Sequence, residues 1–115
     1  IPIFGNRSIA EDKEWCGYLL SLNKSIQMHG VYHTYREFGE IRDEEYVKRG
    51  MIEFEKCFGY YTTMFKAPQM YLLKENLETL KSVNLGNRGM ISQVLHKTYH
   101  CSDTGKYLNK FINYF

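Results

Sequence analysis

Apolar residues along the chain fall into two alternating patterns, short continuous runs and longer stretches with a step of three or four residues. Short runs bounded by polar or glycine residues are typical of buried β-strands, whereas the longer step is typical of amphipathic helices. The runs predict strands at 1–4, 25–28, 62–65 and 90–95, and the periodic stretches predict helices at 8–24, 41–58, 72–83 and from Ser102 or Asp103 onward. Strands and helices therefore alternate along the chain.

The stretch 41–58 has the clearest helical pattern, and Gly59 stands where a left-handed C-terminal cap is expected. In the first predicted helix, Ser8 and Glu11 match the capping-box pattern, which favours a helix that begins near Ser8. The apolar face of that helix is predicted to consist of Ile9, Trp15, Leu19 and Leu22.

Strands separated by helices of this length predict parallel pairing with right-handed crossovers. We therefore expect an α/β fold of parallel β/α repeats in a single domain over residues 1–115, either part of a doubly wound sheet or part of a (β/α) barrel. In both architectures the functional side chains lie beyond the C-terminal ends of the strands.

The composition excludes two classes of protein. A net charge of +2, with scattered lysines and arginines, gives no basic surface for nucleic acid. No apolar stretch approaches the roughly 20 residues of a membrane-spanning helix. Nothing in the sequence indicates a cellular compartment.

The three cysteines, Cys16, Cys57 and Cys101, lie far apart and include no C-x-x-C pair. An odd and sparse count predicts neither a disulfide framework nor a cysteine zinc cluster. We expect buried free thiols.

Basic side chains follow three of the predicted strands. His29 comes directly after the second strand, Lys66 after the third and His96 after the fourth. His33 lies four residues beyond His29, and Gly30 between them lets the chain turn back. Imidazole is a common zinc ligand, and a catalytic zinc ion needs three protein ligands and an open position. Taken alone, the H-x-x-x-H pair fits a metal site, and it also fits loop histidines that bond to water or backbone.

Several stretches match known motifs in order: "MHGVYH" (28–33), "EEYVKRGMIEFEKCFGY" (44–60), "FKAP" (65–68), "ENLETLKSVNLG" (75–86) and "VLH" (94–96). This order resembles the polysaccharide deacetylases, whose members carry H-[GS]-x-x-H, an amphipathic helix, an R-P-P-like turn, a leucine-rich helix and L-x-H. The glycine form, HGxxH, is similar to one branch of that family.

The resemblance implies a metal-dependent hydrolase that removes acetyl groups from a carbohydrate and has a partial or distorted (β/α) barrel. It implies that His29 and His33 are ligands of a divalent metal, expected to be zinc. The expected partner is an acetylated carbohydrate substrate.

Three further residues take roles from the same resemblance. His96 matches the general acid that protonates the leaving nitrogen or oxygen, a task that suits imidazole near neutral pH. Lys66 stands where the family has an arginine that orients the catalytic carboxylate, and its position also fits a solvated loop lysine. The backbone N–H of Gln69 would face the developing oxyanion. Separately, the high aromatic content includes Tyr32 at a loop position on the proposed rim, where its ring can stack on a sugar or serve in core or interface packing.

The chain departs from the family in its first motif, which supplies two aspartates as general base and third metal ligand. Asp12 is the sole aspartate before His29, and its position predicts a solvated helix cap. The catalytic aspartate strand is thus absent from this sequence, and we expect either a fragment of a deacetylase or a domain that has lost its chemistry. The alternative function is a catalytically inactive remnant of the fold that serves as a scaffold or assembly subunit.

Two features near the C-terminus stay open. His96 and His100, followed by Cys101, repeat the H-x-x-x-H spacing and offer a rival, closed structural metal site. The last predicted helix has an apolar face, which we expect to contact another chain or a further segment.

Overall fold

A computed structural model of the chain describes residues 3–4 and 7–87. In this part the chain forms helices α1 (Lys13–Ser21), α2 (Glu44–Phe58) and α3 (Lys74–Ser82), and strands β1 (Met64–Phe65) and β2 (Gly86–Asn87). β1 and β2 pair in parallel. None of these helices is long and apolar enough to cross a membrane.

The predicted partial or distorted (β/α) barrel is wrong for the part of the chain that the structure describes. Three helices and a two-stranded parallel sheet are too few elements for that architecture. The predicted strand 25–28 pairs only at Met28, and Phe4 at the end of the first run makes only an antiparallel bridge to Ser8. An apolar run can be buried without pairing along its length, so the pattern overstates the sheet.

Met28 pairs with β1 in parallel, over a single residue. Its N–H donates to the carbonyl of Met64 (3.2 Å), and its own carbonyl accepts from the N–H of Lys66 (2.9 Å). The chain therefore leaves the sheet at the same edge after Met28 and after β1. His29 and Lys66 are the first residues beyond that edge.

The predicted helix over 41–58 is confirmed as α2, with its start at Glu44. The carboxylate of Asp43 caps it by accepting the N–H of Tyr46 at 2.8 Å. Gly59 ends it in the left-handed conformation (φ 80°), as the sequence predicts.

The predicted helix over 8–24 divides into two pieces. Ser8 caps a single 3₁₀ turn, Ile9–Glu11. Asp12 then caps α1 by accepting the N–H of Trp15 at 3.0 Å, so the predicted role of Asp12 as a cap is confirmed. The predicted apolar face is only partly right, because Trp15 is exposed and the side chain of α1 that is buried belongs to Cys16.

The core lies between the sheet residues and the three helices. Its largest fully buried apolar side chains are Phe38, Phe54, Phe65, Ile3, Met28, Leu80 and Leu85. The predicted helix over 72–83 is confirmed as α3 and contributes Leu80 to this core.

Asn76 of α3 is buried and binds the segment before α2. Its side-chain N–H groups donate to the carbonyls of Phe38 and Glu40 (both 2.7 Å), and its Oδ1 accepts the N–H of Arg42 (2.8 Å). These bonds satisfy the hydrogen-bonding groups of a buried amide. They also join α3 to the end of the loop at residues 29–40, which we call the histidine loop.

Cys16 and Cys57 form a disulfide that joins α1 to α2, so the expected free thiols are wrong for these two residues. Their Cα atoms are 5.5 Å apart, within the usual range for a disulfide. The packing of the two helices, which spacing along the chain does not reveal, brings the sulfur atoms together. Cys101 lies outside the described residues.

Candidate metal site

His29 begins the histidine loop at the edge of the sheet and is partly buried. Its Nδ1 lies 2.9 Å from the backbone oxygen of Lys66. Because a carbonyl oxygen only accepts, Nδ1 carries the proton in this bond. The neutral ring then has its lone pair on Nε2. Two strand ends that the sequence predicts to be neighbours are thus in direct contact.

The ring of His33 packs against the ring of His29, with centroids 4.7 Å apart and planes inclined at 68°. The chain reverses direction between them, with positive φ angles at Gly30 (73°) and at His33 (58°). The left-handed region is unfavourable for a residue with a Cβ atom by about 1–2 kcal/mol. Surrounding contacts must therefore hold His33 in place.

The carboxylate of Glu37 supplies those contacts. Glu37 is 1% exposed, and its oxygens accept the N–H groups of Val31 (3.0 Å), Tyr32 (2.7 Å) and His33 (3.2 Å). Successive N–H groups directed at one anion form charge-assisted hydrogen bonds. The sequence analysis does not single out Glu37. The one feature that could have indicated it is that Glu37 is the acidic residue in the otherwise aromatic and basic stretch "YREF".

Gly30 leaves room for this carboxylate. A Cβ atom at position 30 would overlap Oε1 of Glu37 and would lie 2.7 Å from Cγ of Pro68. The glycine of "HGVYH" is therefore required for space as well as for its positive φ.

Tyr46 of α2 gives Glu37 a fourth donor. Its hydroxyl donates to Oε2 of Glu37 at 2.5 Å. Burial, and then the hydrogen bond and negative charge of Glu37, raise the pKa of Tyr46 above its usual value of 10.0. The hydroxyl therefore keeps its proton and stays a donor in the folded protein.

The raised pKa of Tyr46 predicts a loss of stability in alkali. Because the folded pKa exceeds the unfolded one, the stabilisation is complete below pH 10 and is lost as the pH rises above it. We expect Tyr46→Phe to lower the free energy of unfolding at pH 7 by about 1–2 kcal/mol and to flatten its fall above pH 10. Urea unfolding between pH 7 and 11 measures both effects, with the exposed Tyr18→Phe as control. An alkaline slope that Tyr46→Phe leaves unchanged would contradict this assignment.

Lys66 contributes its main chain to the site through the carbonyl that binds His29. Its side chain is partly buried, and burial lowers the pKa of its ammonium group. The predicted role of this side chain, orientation of a catalytic carboxylate, stays a prediction.

Tyr32 lies between the two histidines in the sequence, whereas Gln69 follows β1, and the two residues have different surroundings. The side-chain oxygen of Gln69 accepts the N–H of Arg36 at 2.8 Å, which ties the turn after β1 to the histidine loop. The ring of Tyr32 stacks on Phe4 with a centroid distance of 5.0 Å, and its hydroxyl accepts from Nη1 of Arg49 at 3.4 Å. The predicted contacts of both residues with substrate stay predictions.

The predicted proton donor His96 and the rival residues His100 and Cys101 lie outside the described residues. Within residues 3–4 and 7–87, no group of three or more histidine, cysteine, aspartate or glutamate side chains could hold a metal ion. In this part of the chain the candidate site therefore consists of a two-histidine pair.

No family model, no curated protein and no solved structure matches the chain. The resemblance to the polysaccharide deacetylases rests on the motifs quoted above.

Proposed function

We propose that the protein is a metal-dependent hydrolase that removes acetyl groups from a carbohydrate, with His29 and His33 as two of its metal ligands. The relative placement of the two imidazole rings carries the proposal. The order of motifs that resembles the polysaccharide deacetylases supplies the reaction class.

The distance between the two rings supports a shared ion. Two imidazoles on one tetrahedral zinc ion have centroids roughly 5 Å apart, because each Zn–N bond is about 2.0–2.1 Å long. The centroids of His29 and His33 are 4.7 Å apart. The separation of the two rings therefore matches that of two imidazoles on a common ion.

The surroundings of the rings support the same role. A metal-bound histidine usually donates its second N–H to a carbonyl or carboxylate, which fixes its tautomer and orientation. His29 makes such a bond to the carbonyl of Lys66. Glu37 acts on His33 through the main chain, because it accepts the N–H of that residue.

The remaining catalytic tasks fall to the residues that the resemblance assigns. A zinc ion at the pair would polarise the acetyl carbonyl and lower the pKa of a bound water. His96 would give a proton to the leaving nitrogen or oxygen, and the backbone N–H of Gln69 would stabilise the developing oxyanion. Lys66 would orient a carboxylate. The third ligand and the general base are aspartates in the deacetylases, and no residue of this chain is assigned to either role.

Zinc analysis of the purified protein tests the site. After saturation with zinc and dialysis, we expect about one zinc ion per chain in the native protein and almost none in the His29→Ala/His33→Ala double variant. The His96→Ala/His100→Ala double variant is the matched control and is expected to keep its zinc. Zinc retained in the first variant and lost in the second would move the site to the rival pair.

Acetate release from acetylated oligosaccharides tests the reaction. His96→Ala is expected to keep its zinc while its turnover falls by about 10²–10⁴-fold, the usual contribution of a general acid. Thermal unfolding confirms that each variant is folded. A native protein that binds zinc at neither pair and releases no acetate would contradict the proposal and favour the inactive scaffold.

A further inference from the structure

Next to the histidine pair, two tyrosine rings enclose one arginine. The guanidinium carbon of Arg36 lies 5.3 Å from the ring centroid of Tyr35 and 5.0 Å from that of Tyr71. Both distances are typical of cation–π contacts. Tyr35 is 75% exposed and Tyr71 43% exposed, so this tyrosine–arginine cluster presents aromatic faces and a positive charge to solvent.

Contacts with neighbouring residues hold Arg36 and Tyr71 of this cluster in place. The N–H of Arg36 donates to the side chain of Gln69, and Arg36 itself has a left-handed backbone (φ 48°). The ring of Tyr71 lies so close to Gly39 that a Cβ atom there would be 2.9 Å from two ring carbons. A surface whose parts are already placed loses little conformational entropy when a ligand binds.

The charge of Arg36 is available to a ligand. Among the described residues Arg36 forms no ion pair with a carboxylate, whereas Arg7 and Arg42 each do. A guanidinium group binds a carboxylate with two parallel hydrogen bonds. Exposed tyrosine rings beside it offer flat apolar surface to the C–H face of a sugar.

The position of the cluster connects it to the histidine pair. Tyr35 and Arg36 belong to the histidine loop, and Tyr71 follows β1, so all three lie beyond the sheet edge that carries His29. Arg36 is three residues from His33, which limits their Cα atoms to a separation of about 11 Å. A short oligosaccharide spans that distance.

We propose that Tyr35, Arg36 and Tyr71 form a subsite for a sugar unit that carries a carboxylate. The substrate class is therefore an acetylated glycan that contains uronic acid. This assignment rests on the proposed function for the carbohydrate, while the subsite itself binds without metal.

Calorimetric titration of the full chain with two probes tests the subsite. A hyaluronan tetrasaccharide carries N-acetyl groups and carboxylates, whereas chitotetraose carries N-acetyl groups alone. We expect the native protein to bind the hyaluronan probe more tightly, and Arg36→Gln and Tyr35→Ala each to raise its Kd by about tenfold, the usual effect of losing one charge-assisted or stacking contact. Arg7→Gln and Tyr61→Ala are the matched controls, since Tyr61 precedes β1 and lies toward the opposite edge of the sheet.

Repeating the titration with the zinc-free His29→Ala/His33→Ala variant separates this inference from the proposed function. If this variant binds the hyaluronan probe and the native protein releases no acetate, the hydrolase is overturned and the subsite remains. Equal affinity for the two probes, undetectable binding of the acidic probe, or an unchanged Kd in Arg36→Gln would overturn the subsite.

Discussion

Glu37→Ala is expected to lower the free energy of unfolding by about 3–5 kcal/mol, because it leaves buried donors without their acceptor. Three successive backbone N–H groups and the hydroxyl of Tyr46 all donate to this carboxylate. The left-handed backbone of His33 loses its support at the same time. We therefore expect the variant to lose zinc binding together with stability, as measured by urea unfolding and by zinc titration.

Glu37→Gln and Glu40→Ala make this experiment specific. The glutamine has nearly the same size, but its amide group brings two donors into a cluster of donors, so it should recover only part of the loss. Glu40 is three residues away and forms an exposed ion pair with Arg42, so Glu40→Ala should change stability by less than about 1 kcal/mol. If the Glu37→Ala protein has the same free energy of unfolding as the native protein, Glu37 does not support the histidine loop.

Removal of the Cys16–Cys57 disulfide is expected to lower the free energy of unfolding by about 4 kcal/mol. The two cysteines are 41 residues apart, and a cross-link over a loop of that length restricts the unfolded chain by about this amount. The Cys16→Ala/Cys57→Ala variant, unfolded in urea beside the native protein, measures the effect. Alanine also removes a buried sulfur atom at each position, and the small cavities that remain add to the loss.

Thiol titration in denaturant checks the pairing itself. The chain has three cysteines, so we expect one reactive thiol before reduction and three after it. Cys101→Ala is the control and should lose its thiol without a loss of the disulfide. Because disulfides persist in oxidising compartments, the protein for these measurements has to be produced under oxidising conditions. Three thiols in the unreduced protein would contradict the disulfide.

Local signals in the sequence predicted α2 and α3 and the meeting of two strand ends. The periodic stretch before Gly59 gave α2, because an amphipathic face and a glycine cap are both properties of nearby residues. The rule that parallel strands end at one edge placed His29 beside Lys66, and the structure joins them by a hydrogen bond. Neither inference required knowledge of how distant segments pack.

The features that sequence reasoning missed depend on contacts between distant segments. A charged residue in a polar loop is usually solvated, and nothing local shows that Glu37 is buried under three backbone N–H groups. Cys16 and Cys57 meet only because α1 packs on α2. The predicted barrel was wrong because the packing of other segments determines how many residues of a strand pair. The apolar run at 25–28 pairs only at Met28, and the run itself does not specify this extent.

The bond from His29 to position 66 uses a main-chain oxygen, which every amino acid possesses. Exchange of Lys66 for another residue would thus alter charge and shape beside the imidazoles while the orientation of the His29 ring is preserved. A saturation library at codon 66 would therefore vary this side chain while the hydrogen bond that orients the His29 ring is kept.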